Sequence, residues 1–437
     1  MTPEAAPAAS GVETRRMMQD RRYAWIVLVV LTFIYSLNFL DRQLLSILAK
    51  PIQDELGVTD GQIGLLGGLY FALFYCVLGV PVAWLADRYN RIRVLVFACT
   101  LWSAATVACG MASSYPQLAA ARMSVGIGEA GGAPPSYSII SDYFAPSRRG
   151  RALSFFNLAP PVGQAFGVAF GAQIALAHDW RTAFYALGGI GLCAALAAFL
   201  IVREPKRGAT DPLDAAPPAT GPAPTIRGVM KLFVKRRPLI LVALAAGATQ
   251  FITYGILNFS TLFLMREKGM TLGEIAVWFA LMLGVVVTGG IYASGWLIDR
   301  FTGKSPQSYG LIPAATLTLS APFFIGFVSA PGWPAAMGFL AVTIFLCSFY
   351  LTPAVALVQN VMPANQRTLG GAVLLLVMNL IGLGLGPTFV GAMSDWFAQS
   401  NPANSLQMAF YALLPVYGLA IGLYLALAQA FRREAVE

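Results

Sequence analysis

Four ionisable residues lie inside segments that otherwise consist almost entirely of apolar residues. Asp41 and Arg42 lie in the first such segment, and Arg122 and Glu129 lie in the fourth. A charge at the depth of a lipid bilayer costs about 2.5–3.5 kcal/mol on insertion scales, so it is retained where it has partners or a function. A carboxyl group in a low-dielectric environment binds a proton more tightly, and a nearby guanidinium weakens that binding. An arginine that moves between two carboxylates would therefore couple proton binding to conformation.

Helical spacing decides which of the four residues can meet. Arg122 and Glu129 follow an i, i+7 spacing and share one helix face, whereas the adjacent Asp41 and Arg42 point about 100° apart. At 1.5 Å per residue, Asp41 has a height between those of Arg122 and Glu129 if the two segments run antiparallel. We predict that Asp41 and Glu129 carry protons and that Arg42 and Arg122 are anion contacts or switching partners. The alternative is an ion-pair network that only fixes helix packing.

The composition defines the class of protein. The chain has 437 residues, of which 57% are hydrophobic and 11% are charged, against about 25% charged in soluble proteins. We predict an all-α membrane protein with twelve transmembrane helices in two pseudo-symmetric six-helix bundles. The predicted spans are 23–49, 61–86, 94–113, 116–143, 152–177, 182–202, 239–265, 272–298, 306–328, 333–361, 368–397 and 404–430.

The basic residues predict the orientation of the spans. If the N-terminus is cytoplasmic, 23 of the 29 Lys and Arg residues lie in cytoplasmic segments, as the positive-inside rule requires. We therefore expect a multi-pass protein of the cell inner membrane with both termini cytoplasmic, and the net charge of +9 does not indicate a nucleic-acid partner. Asp142 and Asp395 lie at span ends, where we expect solvated helix caps.

The longest polar segment divides the chain into two halves. We predict a linker at 203–238, with a disordered middle at 208–224 that is rich in Ala and Pro. The predicted domains are a disordered cytoplasmic N-terminus, two six-helix bundles on either side of the linker, and a cytoplasmic tail: 1–22, 23–202, 239–431 and 432–437.

An internal repeat supports this division. The sequence Trp-Leu-x-Asp-Arg-aromatic follows span 2 from Trp84 and recurs after span 8 from Trp296, 212 residues later. Two six-span halves, each with an Asp-Arg loop, resemble the major facilitator superfamily, although Ala83 and Asn90 stand where glycines are usual. The resemblance implies that the charged residues of both loops form latches of a cytoplasmic gate, with plain loop anchors as the alternative: Asp87, Arg88, Arg91, Asp299 and Arg300.

Three stretches of the first half narrow the resemblance. Asn-Phe-Leu-Asp-Arg at 38–42, Asp-Arg-Tyr-Asn-Arg at 87–91, and Arg122 followed by Val-Gly-Ile-Gly-Glu-Ala at 125–130 resemble the Spinster family. Members of that family are associated with the export of lysophospholipids and sphingosine phosphate and with proton-linked movement. Organic-anion symporters of the same superfamily also carry an Asn-x-x-Asp-Arg signature in span 1, so they are the alternative.

The distribution of polar residues points to an amphiphilic substrate. The second half has no charges well inside its spans, so a shared cavity would have one charged wall and one apolar wall. We predict six substrate contacts: Asn38, Arg42, Arg122, Tyr254, Asn258 and Asn379.

These observations predict a proton-coupled secondary transporter of an amphiphilic anionic lipid, similar to a lysophospholipid or sphingosine phosphate, that works by alternating access. A proton-linked symporter of small organic anions is the second hypothesis, and a non-transporting membrane sensor is the third. We expect a monomer among membrane lipids, with protons and the substrate as its partners, no enzymatic activity, no metal and no cofactor.

Overall fold

The computed structural model describes residues 11–207, 226–302, 305–363 and 366–434. In these ranges ten helices are long and apolar enough to cross a membrane. Predicted spans 4 and 5 are also helical, but each is divided into two shorter helices, at 130–132 and 157–158. The twelve-span all-α fold is therefore confirmed.

The helices of the first half follow the predicted spans closely. Their bounds are Gly11–Ile47 and Ala49–Leu56 for span 1, Asp60–Gly67 and Leu69–Arg88 for span 2, Arg91–Met111 for span 3, Tyr115–Glu129 and Ala133–Tyr143 for span 4, Pro146–Phe156 and Ala159–Ala177 for span 5, and Trp180–Ile201 for span 6.

The second half contains more irregular helix. Its bounds are Arg237–Arg266 for span 7, 272–302 for span 8, Ser308–Ser329 for span 9, Trp333–Cys347 and Leu351–Val361 for span 10, Arg367–Met378 and Gly386–Ala398 for span 11, and Ser405–Tyr411 and Leu414–Glu434 for span 12. Spans 8 and 11 contain π-helical turns, at Ile275–Phe279, Leu283–Val287 and Asn379–Leu385. Such turns occur frequently at functional sites.

Two segments outside the spans differ from the prediction, and a third lies outside the described residues. Helix 1 begins at Gly11 rather than near residue 23, because residues 12–22 contain no Gly or Pro that would end it. The linker contains a helix at Ile226–Lys235, which we call the linker helix. The predicted disordered stretch 208–224 lies outside the described residues.

Small residues hold span 1 in place. A Cβ on Gly167 of span 5 would lie 2.9 Å from the carbonyl oxygen of Leu40, so only glycine permits this approach. Two glycines of span 4 allow equally close contacts. A Cβ on Gly126 would lie 2.6 Å from a backbone atom of Phe71, and a Cβ on Gly128 would lie 2.6 Å from a backbone atom of Trp102. Glycines that permit close helix packing therefore fix the two spans that carry the membrane charges.

Contacts between the two halves cluster at one end of the bundle. Asp60–Gly67 packs on Gly386–Ala398, and Ala159–Ala177 packs on the π-helical part of span 8. The Leu69 N–H donates to Thr388 Oγ1 at 3.2 Å. We call this the Asp60 end and the opposite one, which carries the Asp-Arg loops, the Arg91 end.

Candidate functional site

Two buried ion pairs join span 1 to span 4. The Nε of Arg42 donates to Glu129 Oε2 at 2.8 Å, and the Nη1 of Arg122 donates to Asp41 Oδ2 at 3.4 Å. We call these four residues the central charge cluster. The structure thus confirms that the four charges meet and that adjacent Asp41 and Arg42 point to different partners.

The two pairs differ in their exposure. The side chains of Asp41 and Arg122 are each 2% exposed, and that of Glu129 is 0% exposed. Arg42 is 14% exposed. Asp41 therefore points into the first half, where Thr106 of span 3 also lies beside it, whereas Arg42 is the member that approaches the space between the halves.

The break in span 4 positions Glu129. The first helix of this span ends at Glu129, and the second begins at Ala133 with Pro134 and Pro135 in its first turn. Proline has no backbone N–H to donate and favours the first turn of a helix, so Pro134 and Pro135 suit a helix that starts again just after Glu129.

Aromatic rings surround the Arg42 guanidinium. Its central carbon lies 4.9 Å from the ring centroids of Phe39 and Phe71 and 4.8 Å from that of Tyr75. Such cation–π contacts contribute about 0.5–2 kcal/mol each. Tyr254 of span 7 also lies within interaction range of this guanidinium. Arg42 is therefore the point at which the central charge cluster meets the second half.

Each carboxylate of the cluster keeps one oxygen without a partner. Among the described residues, Asp41 Oδ1 and Glu129 Oε1 are buried and accept no hydrogen bond. Leaving a buried polar atom unsatisfied costs about 1–3 kcal/mol, and such atoms are rare in folded proteins. Each free oxygen is a place where a proton could bind without breaking the ion pair's hydrogen bond.

The other predicted substrate contacts divide into two groups. Asn38 is 2% exposed and lies beside the backbone of Gly132 in span 4. Asn258 packs at the Asp60 end, where a Cβ on Gly67 would lie 2.6 Å from its Oδ1. Asn379 accepts a hydrogen bond from Gln250 Nε2 at 3.0 Å within the second half. The structure thus places Tyr254 beside Arg42, keeps Asn38 and Arg122 buried against the same part of the first half, and gives Asn258 and Asn379 contacts elsewhere.

At the Arg91 end, Arg91 is buried within the first half. It donates to Glu204 Oε1 at 2.6 Å and to Asp142 Oδ2 at 2.5 Å. These bonds connect spans 3 and 4 to the start of the linker. Asp142 is therefore not the solvated cap that we expected, because the Arg91 guanidinium needs a buried anionic partner.

The two Asp-Arg loops repeat one local contact. The guanidinium carbon of Arg88 lies 4.1 Å from the Trp84 ring, and that of Arg300 lies 5.7 Å from the Trp296 ring. The same i, i+4 pair in both loops supports the internal repeat. The side chains of Asp87 and Asp299 are outside the described part of the structure, so the gate-latch role stays a prediction.

A second buried ionic site lies at the Asp60 end. Asp60 Oδ2 accepts hydrogen bonds from Arg266 Nη2 at 2.8 Å and from Ser394 Oγ at 2.5 Å, and its Oδ1 accepts one from Gln53 Nε2 at 2.7 Å. We call these four residues the Asp60 cluster. It joins spans 1 and 2 of the first half to spans 7 and 11 of the second.

Sequence reasoning missed the Asp60 cluster. Asp60 follows Thr59, which caps the helix, so the pair is typical of an ordinary helix start. The available signal was Arg266, one of the few basic residues outside the predicted cytoplasmic segments. The expectation that Asp395 is a solvated cap is also wrong. Asp395 accepts a hydrogen bond from the Gly61 N–H of the other half at 3.0 Å.

The fold and this site define a class of membrane transporter. Residues 31–367 match the Major Facilitator Superfamily. The chain belongs to this superfamily, and it is a multi-pass membrane transporter rather than an enzyme.

Within the superfamily, the chain is similar to Spinster proteins and to a bacterial efflux protein. It is 33% identical to an MFS-type efflux pump of Mycolicibacterium smegmatis, over 95% of each chain. It is 28% identical to human protein spinster homolog 1, over 92% of this chain and 78% of the relative. A crystal structure of a bacterial homolog of the human lysosomal transporter Spinster, inward-facing and unoccupied, matches with a TM-score of 0.86 and 28% identity over 94% of this chain and 98% of that one.

Proposed function

We propose that this transporter moves an amphiphilic anionic lipid and couples the movement to protons. The observation that carries the proposal is the central charge cluster. It holds two buried carboxylates, each paired with an arginine of the facing span and each with one oxygen free to take a proton.

The proton acts through the partner of Arg42. When Glu129 takes a proton, it loses the negative charge that holds the Arg42 guanidinium at 2.8 Å. Arg42 is the most exposed member of the cluster and has Tyr254 beside it, so the guanidinium becomes available to an anion between the halves. When Glu129 releases the proton, Arg42 returns to it and the anion loses its partner. Asp41 and Arg122 form a second, deeper carboxylate site of the same kind.

The shape of the charge distribution favours an amphiphile. A guanidinium binds phosphate through parallel hydrogen bonds, and Arg42 supplies one on the wall of the first half. The partly exposed rings of Phe39 and Tyr75 next to it, and of Tyr254 opposite, provide apolar surface for the start of a hydrocarbon chain. A lysophospholipid or sphingosine-phosphate-like molecule combines these two parts.

The conformation supports an alternating-access cycle. If the Arg91 end faces the cytoplasm, as the Lys and Arg distribution predicts, the closed Asp60 end faces outward and the chain is open inward. The Asp60 cluster then acts as an outer latch that must separate before the substrate can leave to the outside. The Asp-Arg loops with Arg88 and Arg300 are the corresponding inner latch, and Arg91 supports the first loop through its ion pairs within the same half.

A small organic anion is the second candidate. Arg42 is enclosed by three rings and only 14% exposed, an environment that would also accept a compact carboxylate. The Asn-x-x-Asp-Arg spacing of Asn38, Asp41 and Arg42 is compatible with both candidate substrates and does not distinguish them.

Flux in proteoliposomes tests the proposal. A fluorescent lysophospholipid with a phosphate headgroup and radiolabelled lactate are offered separately under an imposed pH gradient. We expect gradient-dependent lysophospholipid flux that excess lactate does not inhibit. Lactate flux alone would favour the second candidate, and no flux of either probe would favour a sensor.

A further inference from the structure

The linker helix is attached to the second half along one face only. Val229 is 1% exposed and Phe233 is 3% exposed, and both lie in the core cluster that includes Leu239 of span 7 and Val373 of span 11. These two residues are one helical turn apart. The helix is therefore fixed at the Arg91 end against spans 7 and 11.

A second apolar edge of the same helix is exposed. Met230 is 39% exposed and Val234 is 62% exposed, and they too are one turn apart. They follow Val229 and Phe233 by one position each, so their edge is rotated by about 100° from the packed face. An exposed apolar edge on a helix that is already packed elsewhere indicates a second apolar environment.

Basic residues border this apolar edge. Lys231 and Lys235 are exposed and follow Met230 and Val234 by one position each, and Arg236 and Arg237 are exposed at the end of the helix. Residues 215–266 contain no Asp or Glu, so no acidic residue nearby in the sequence neutralises these charges.

We propose that the linker helix lies in the membrane interface and binds anionic phospholipid. Met230 and Val234 enter the boundary of the acyl chains, and Lys231, Lys235, Arg236 and Arg237 contact the headgroup phosphates. Apolar residues beside a basic stripe are the features that hold an amphipathic helix in this position, and clusters of Lys and Arg beside a transmembrane helix select anionic lipids.

Anionic phospholipid fits the charge and the position of the linker helix better than an acidic protein segment does. An acidic protein segment would satisfy the lysines but not the neighbouring exposed edge of Met230 and Val234. The linker helix ends at Lys235 and span 7 begins at Arg237, so the helix adjoins the end of a membrane span. This site is separate from the central charge cluster and does not depend on which substrate is transported.

Lipid retention by the full-length protein tests this inference. The purified protein is reconstituted with equal amounts of phosphatidylglycerol and phosphatidylcholine, and the lipids that remain bound are counted by native mass spectrometry. The double variant Lys231→Gln/Lys235→Gln is compared with Arg432→Gln/Arg433→Gln, which removes two exposed charges from the last helix. We expect phosphatidylglycerol enrichment to fall by at least about threefold in the first variant and to stay at the wild-type value in the second.

Two outcomes would overturn the inference. Equal losses in both double variants would mean that any surface charge suffices, and unchanged enrichment in the first would place anionic lipid elsewhere. Met230→Ser/Val234→Ser keeps every charge but removes the apolar edge. A lower enrichment in this variant supports insertion of the helix, and an unchanged value would overturn it.

Discussion

The central charge cluster and the Asp60 cluster are both built from buried carboxylates and arginines, but they divide differently between the halves. The ion pairs of Arg42 with Glu129 and Arg122 with Asp41 join spans of the same half. The pair of Asp60 with Arg266 joins the two halves. When the halves rock, the first set can stay intact while the second must break.

This difference assigns the two clusters different tasks. A pair within one half can bind or release a proton in any conformation, so it suits coupling. A pair between halves exists only when its end is closed, so it sets the conformational equilibrium. The buried Arg91 site resembles the first kind, because Asp142 and Glu204 lie on its own side of the molecule.

Neutralising the carboxylates of the central cluster should have the largest effect. Asp41→Asn and Glu129→Gln each remove a proton site but keep the size of the side chain, so we expect pH-dependent flux to fall by about 100-fold or more with the protein still folded. The measurement is lysophospholipid flux with and without a pH gradient, and thermal unfolding checks the fold. Glu55→Gln, which changes a half-exposed glutamate, is the matched control. Proton-driven flux at the wild-type rate in both variants would reject the coupling role.

Removing the Arg42 guanidinium should weaken substrate binding. A hydrogen bond to a charged group contributes about 1.5–3 kcal/mol, so Arg42→Ala should raise the Kd for the fluorescent lysophospholipid at least tenfold. Arg42→Lys keeps the charge but loses the planar contact with three rings, so its Kd should lie between those of the wild type and Arg42→Ala. Unaltered affinity in Arg42→Ala would move the anion site elsewhere.

Neutralising Asp60 should change conformation without touching the proton sites. Asp60→Asn loses the charged partner of Arg266, and we expect the open form of the Asp60 end to increase about tenfold. Spin labels at Met111→Cys and Gln399→Cys, in a Cys193→Ser background, would report the distance between the halves. Asp54→Asn is the control, because among the described residues Asp54 forms its ion pair with Lys50 of its own helix. The same distance distribution in Asp60→Asn and wild type would contradict the latch role.

A wedge between spans 2 and 11 should act in the same direction. A Cβ on Gly64 would lie 2.5 Å from the Pro387 carbonyl oxygen of span 11, so Gly64→Ala should destabilise the closed Asp60 end by about 1–3 kcal/mol. The same spin-label pair measures the shift. Gly79→Ala is the matched control, since a Cβ there meets no described atom within 4 Å. Equal effects of the two alanines would show that the contact between spans 2 and 11 is not limiting.

Patterns that are local along the chain were readable from the sequence. Apolar run length gave the spans, the Trp-to-Arg spacing gave the repeat, and helical periodicity separated Asp41 from Arg42. Pro134 and Pro135 mark the break after Glu129 in the same local way. Each of these depends on a few consecutive residues and on fixed helix geometry.

Contacts that depend on how the halves meet were not readable. Asp60 and Arg266 are 206 residues apart, and nothing in either local sequence identifies the other. Asn258 was predicted as a substrate contact because it is polar inside a span, but it lies against Gly67 at the closed end. The rings around Arg42 come partly from span 2, whose rotation the sequence does not specify.

Proton movement driven by lipid is the most direct test of the account. Proteoliposomes that enclose a pH-sensitive dye receive a lysophospholipid in the absence of a pH gradient. We expect the wild-type protein to change the internal pH as the lipid moves, and Asp41→Asn and Glu129→Gln to bind the lipid but leave the internal pH constant. A pH change of wild-type size in both variants would contradict the account.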